Sequence, residues 1–107
     1  MFVIRRVYQV KPGMARRYAT VLRRVADAYE ASGQRTTTQV YYNDTMVPGD
    51  THRVYIQWVT DTIESQFREG NVVPAAVTEA ALPGDHMVLD TWIEFYELMT
   101  SSKMVQD

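Results

Sequence analysis

Arg6 and Tyr8 form the first pair in this chain that could do chemistry together. They stand two apart in a β-branched and aromatic run, and side chains two apart on a strand leave from the same face. Inside an apolar cavity an arginine can anchor a carboxylate or enolate while a neighbouring tyrosine donates a proton. The structural use of the same pair is an arginine at a subunit seam or sheet margin with a tyrosine packed beside it. His52 and His86 are the side chains that titrate near neutrality without strong perturbation. Each opens a predicted strand, His52 after Pro48-Gly49-Asp50 and His86 after Gly84-Asp85. Each is therefore a candidate cavity-rim acid or base, or an exposed strand start. A direct dyad between His86 and Asp90 is disfavoured, because four extended residues span about 13 Å.

Gln57 and Trp58 follow one another on a predicted strand, and Trp92 and Tyr42 stand on two others. With Tyr41, Tyr55 and Tyr96 they offer flat faces on which a conjugated substrate would stack, Gln57 orienting it; the plainer use of such a stripe is core packing.

Other chemistries find little support. There is no cysteine, which excludes disulfides, thiolate metal sites and thiol catalysis, and fits a reducing cytoplasm. Two separated histidines make no metal site, so no metal is expected. Gly13, Gly33, Gly49, Gly70 and Gly84 are lone turn glycines rather than a phosphate loop. Glu94 and Glu97 belong to opposite strand faces and are poor acid–base partners. A net charge of −2 gives no pull toward nucleic acid or an anionic membrane. The Arg16-Arg17 and Arg23-Arg24 pairs read as a solvated helix face, since Asp27 and Glu30 follow on the same surface. No run of about 20 apolar residues spans a bilayer, and Met1 to Arg6 reads as a strand rather than a signal peptide.

The elements that position these residues follow from periodicity. Phe2 to Val10 is β-rich and ends at Lys11-Pro12-Gly13. From Met14, apolar residues recur at Tyr18, Val21, Leu22, Val25 and Tyr29, one helical stripe that Ser32-Gly33 stops. Thr36–Asn43 and His52–Thr60 read as a hairpin. Asp61-Thr62-Ile63-Glu64 matches a capping box and predicts a short helix through Arg68. Pro74 starts another reaching Ala81, which Pro83-Gly84 breaks. Asp85 to Met99 predicts a last strand well beyond the usual 5–6 residues or so, expected to overhang its own sheet and need a second copy of the chain.

The order β-α-β-β-α-β, with a right-handed crossover, puts both helical segments on one face of a four-stranded antiparallel sheet. Large apolar residues on both sheet faces then call for a partner sheet on the other side. One domain over residues 1–100 is expected, with a loose tail from Ser101 to Asp107.

In this layout the chain resembles the dimeric α+β barrel superfamily, and within it NIPSNAP-like proteins, with the antibiotic-biosynthesis monooxygenases as more distant relatives. The resemblance rests on Arg6-Val7-Tyr8-Gln9-Val10-Lys11-Pro12-Gly13, on the amphipathic helix ending at Gly33, and on Tyr55-Ile56-Gln57-Trp58. It implies an α+β, ferredoxin-like protomer, a homodimer, and a cavity between sheet and helices. Members act as cofactor-free oxygenases, haem-degrading enzymes, isomerases, cyclases or proteins of unknown role. That makes a cofactor-free enzyme oxygenating, isomerising or cyclising an apolar, aromatic or polyketide-like molecule the expectation here, in the cytoplasm that the lack of cysteine fits. The alternative is a non-catalytic ligand-binding or assembly module of the same fold. The family's Asn-Trp-His haem-degrading set finds no match, since neither histidine follows Trp58 at a helical position.

Overall fold

Each predicted strand forms, and the computed structural model describes residues 1–35, 37–65 and 69–106 of the chain. The first strand, β1, spans Phe2–Val10 and leads through a turn at Gly13 into helix α1, Ala15–Ala31. Gly13 takes φ +80°, a left-handed conformation that costs a residue with a Cβ, while the amide of Met14 donates to the carbonyl of Lys11 (3.0 Å). The stripe predicted for α1 is buried at Tyr18, Val21, Leu22 and Tyr29, joined by Ala15, Ala19 and Ala26. Those alanines let the helix axis approach the sheet closely. Gly33, at φ +77°, ends the helix, its amide donating to the carbonyl of Glu30 (3.1 Å).

The hairpin pairs β2, Gln39–Asn43, with β3, Arg53–Thr60. A seven-residue helix α2, Ala75–Ala81, and a 3₁₀ turn over Leu82–Gly84 precede the last strand, β4, Val88–Glu97. The strands are antiparallel in the order β2-β3-β1-β4, and both helices pack on one side: a ferredoxin-like α+β protomer. The core lies between α1 and the even-numbered positions of β1 and β3, with Val10, Val54 and Ile56 at its centre.

Three expectations need correction. Asp61 and Thr62 form a bend and Ile63–Ser65 take no helical structure, so the capping box starts no helix there; Gln66–Arg68 lie outside the described residues. The Thr60 hydroxyl donates to the carbonyl of Thr62 (3.0 Å), turning the chain within the box instead of capping a helix. Next, β4 does not overhang. It pairs with β1 from Phe2↔Glu97 to Val10↔Val88, because β1 is itself nine residues long. Finally, a register shift at Gln9/Val10 breaks the alternation predicted for β4. It brings Val88 to the helix side, packed against the core, while Asp90 onward keeps the opposite phase.

The tail past Leu98 makes one 3₁₀ turn at Ser101–Lys103, and the Lys103 ammonium donates to the carbonyl of Leu98 (2.8 Å). No helix among the described residues is long and apolar enough to cross a membrane. The molecule measures 48 × 40 × 20 Å, a slab two layers deep with one sheet face carrying no helix.

Candidate functional site

Pairing register decides which side chains meet. Arg6 lies opposite Ile56 on β3 and Ile93 on β4, Tyr8 opposite Val54 and Thr91, and Ile4 opposite Trp58 and Phe95. All of these project toward the helices. Because α2 buries only Val77 and the segment after β3 forms no helix through Ser65, the helical layer leaves a gap over them. The gap is a half-open cavity of about 1180 Å³, whose wall includes Arg6, Tyr8, Trp58, Ile93 and Phe95 from the sheet and Tyr29 from α1.

Within it, one guanidinium N–H of Arg6 donates to the Thr91 hydroxyl (3.3 Å), which donates in turn to the carbonyl of Val7 (3.0 Å). The Tyr8 ring packs edge-on against Tyr18, centroids 5.0 Å apart. Burial pushes the Tyr8 phenol above its ordinary pKa, and the positive charge of Arg6 only partly offsets this. Tyr8 is therefore a neutral hydroxyl donor at pH 7, not a phenolate base.

Several cavity residues escaped the sequence reading, the carboxylates Asp61, Glu64 and Asp85 and the apolar Ile93 and Phe95 among them, and one of them is a cation. Arg35, two residues beyond Gly33, lies between two aromatic faces, its guanidinium carbon 3.8 Å from the Tyr29 ring centre and 3.7 Å from that of Trp58. Burial lowers its pKa, and the nearby charge of Arg6 adds to that. A single arginine past a helix stop carries no periodic signal. The one hint was that Tyr29, read as core, sits on the last turn of α1 with a cation six residues on.

The other sequence candidates lie elsewhere. Gln57 and Trp92 project from the sheet face that has no helix. Gln57 accepts from the Tyr41 hydroxyl (2.8 Å), and the Trp92 indole donates to Glu94 (3.1 Å) beneath Arg53. Tyr42 borders a shallow groove between α1 and β2 with Val40 and Arg24. His86 is exposed in the turn before β4. His52 is a turn residue with φ 56°, held there by backbone hydrogen bonds to Asp44 and Val10, and its ring Nδ1 lies 3.2 Å from Asp44 Oδ1. Neither histidine reaches the cavity, because both stand at the β1 C-terminal end of the sheet, where the turns are. The carboxylates that border the cavity are Asp61, Glu64 and Asp85. No group of three His, Cys, Asp or Glu among the described residues is placed to hold a metal ion.

The helix-free face carries its own network. Arg5 Nε donates to Glu94 Oε1 (2.8 Å), the Tyr96 hydroxyl donates to the same oxygen (2.7 Å), and Tyr41 stacks on Tyr55 with centroids 4.9 Å apart. The hydrogen bond from Tyr96, then those from Arg5 and Trp92, hold the Glu94 carboxyl below its usual pKa.

No family model matches the chain, and no curated protein matches it either. Solved structures do. An uncharacterized NIPSNAP-like domain protein from Burkholderia xenovorans is 18% identical over 98% of this chain and 90% of its own, with a TM-score of 0.69. A candidate antibiotic biosynthesis monooxygenase from Deinococcus radiodurans is 16% identical over 99% of this chain and 100% of its own, TM-score 0.63. A NIPSNAP family protein from Agrobacterium tumefaciens is 12% identical over 97% and 98%, TM-score 0.56. At these identities the likeness is one of fold, and the fold is the one that the sequence resemblance implied.

Proposed function

We propose that the chain is a small cavity enzyme acting without metal or flavin on an apolar, aromatic or polyketide-like molecule, by oxygenation or by proton-transfer isomerisation or cyclisation. The observation that carries this reading is the convergence of Arg6, Tyr8 and Trp58 on one cavity whose wall mixes apolar and charged side chains. The fold shared with a candidate antibiotic biosynthesis monooxygenase supports it as analogy. All three reactions begin alike. A proton leaves an activated carbon of the substrate, and the enolate oxygen that results is held by the Arg6 guanidinium. The conjugated plane lies along Ile93 and Phe95 beside Trp58, whose ring is engaged by Arg35, and Tyr8 returns a proton. With both histidines outside the cavity, the first proton falls to a bordering carboxylate, Asp61, Glu64 or Asp85. In the oxygenation, the enolate itself supplies the electrons to O₂, a methylene becomes a carbonyl, and water leaves.

Oxygen uptake and product analysis with hydroxylated polycyclic aromatics test the reading. Turnover is expected, and Tyr8→Phe should lower it about 10²- to 10⁴-fold with folding unchanged. Binding of such molecules without any turnover favours the second reading, a ligand-holding module, which the absence of either histidine from the cavity recommends. Failure to bind them at all ends both.

We also propose that the protein works as a homodimer joined through the helix-free sheet face. The 7303 Å² surface of one chain exceeds by about 1,200 Å² the roughly 6,100 Å² expected of a compact monomer of its mass. An excess of that order is what one side of a stable interface buries.

A further inference from the structure

Arg35 is the least explained charge in the molecule. Its guanidinium carbon lies within 4 Å of two ring centres, those of Tyr29 and Trp58, a separation that suits stacking of the flat group between them. A guanidinium carries five N–H donors, and all of them lie in its plane. In that stacking, the rim is left to bind. Among the described residues no carboxylate lies within ion-pair distance of Arg35, and no described side chain or carbonyl accepts from it. Nor is any nitrogen of Arg35 sealed from solvent without a partner. Its unpaired N–H groups therefore keep access to solvent, and Arg35 lines the same cavity wall as Arg6.

Arg6 is in a similar position, with a single hydrogen bond, to a neutral hydroxyl. Asp61, Glu64 and Asp85 border the same cavity, yet none pairs with either arginine. Two guanidinium groups on one cavity wall, neither ion-paired to a carboxylate, repel each other, and burial adds a desolvation cost at Arg35. A bound anion reverses both costs at once.

We infer that Arg35 and Arg6 form a two-point anion clamp, so that the cavity takes a flat apolar organic acid whose carboxylate or sulfonate meets the rim of the stacked Arg35 guanidinium. The aromatic sandwich fixes the plane of that guanidinium, which suits bidentate recognition of a planar or trigonal anion. The apolar body of the ligand then lies along Ile93 and Phe95. This rests on the cavity being a ligand site, and it adds the charge of what binds there.

Two probes separate the claims. Anilinonaphthalene sulfonate and N-phenylnaphthylamine share one aromatic frame, and only the first carries an anion. Fluorescence titration of the intact protein should show the sulfonate bound at least about tenfold more tightly, a margin of about 1.4 kcal/mol, with an affinity that falls as salt rises. Arg35→Gln and Arg6→Gln should each close most of that gap and leave the neutral probe where it was. Arg35→Lys, which keeps the charge but loses the planar fork, should recover the gap only in part. Equal binding of both probes to the unaltered protein, or an affinity gap insensitive to salt, overturns the anion clamp and leaves the cavity standing. A gap that survives both glutamine variants overturns the assignment to these two arginines. If neither probe binds, the cavity reading itself fails. Far-UV circular dichroism identifies a variant that has not folded, and the salt titration of the unaltered protein then decides alone.

Discussion

Gly84 shows how tightly single residues are constrained beside the cavity. A Cβ built there would stand 2.5 Å from Tyr18 Cε1 and 2.9 Å from its Cδ1, on a ring whose other neighbour is Tyr8. Gly84→Ala should therefore lower stability by about 1–3 kcal/mol, read as a shift in the urea midpoint. Tyr8 has a different signature. Its pKa is raised by burial, so the neutral phenol is favoured by the fold up to the ordinary tyrosine value of about 10, and that stability is lost as pH rises through the higher folded value. An absorbance titration should show late-ionising tyrosines, Tyr18 and Tyr96 among them, and one fewer of them in Tyr8→Phe if the variant folds. Glu94 behaves oppositely. Its folded pKa is depressed, so its contribution is complete above the ordinary carboxylate range and fades as pH falls through the depressed value. Glu94→Gln should flatten the acid limb of the stability profile, measured by thermal unfolding between pH 6 and pH 2 or so.

At the scale of elements, polar side chains add to the packing of Val40 in holding the junction of α1 with β2. Arg23 donates to Asp27 (3.0 Å), to Glu30 (3.2 Å) and to the carbonyl of Thr38 (2.8 Å), while the amide of Thr38 donates to Glu30 (2.7 Å). Glu30→Ala should speed hydrogen exchange at Thr38 and Val40 before it affects the amides of β1. The pairs of Arg23 with Asp27 and Glu30 are those of the solvated, salt-paired face that the sequence suggested. The bonds to Thr38 go beyond it, because pairing across a loop leaves no trace in helical periodicity. The strands and α1 were legible, since their apolar residues repeat at 2 or 3.6. The pair Arg6 and Tyr8 was legible as sharing a face for the same reason, and Trp58 as standing on the face of Val54 and Ile56. That Gln57 faces away follows from the same alternation. Illegible were the features set by tertiary context: a capping motif overridden by a bend, a one-residue slip beside Val10, and an arginine stacked between rings from α1 and β3.

For the whole molecule, shape is the informative quantity. A radius of gyration of 15.4 Å exceeds the roughly 13 Å typical of a compact chain near this length. A slab 20 Å thick has too little depth for a second layer on the far side of its sheet. Sedimentation equilibrium at micromolar concentration should return about twice 12.3 kDa; a stable single-copy species would remove the proposed interface. The wall opposite the sheet has a further consequence. Arg6, Tyr8 and Trp58 are anchored in paired strands, whereas Ile63–Ser65 and the approach to α2 carry little regular structure. Under the proposed function, the groups that would hold a guest thus stand on paired strands, while two of the three candidate bases, Asp61 and Glu64, stand on the connection after β3. Exchanging that connection is expected to change which guests are admitted and, through Asp61 and Glu64, the proton step as well, while Arg6, Tyr8 and Trp58 stay where the sheet holds them.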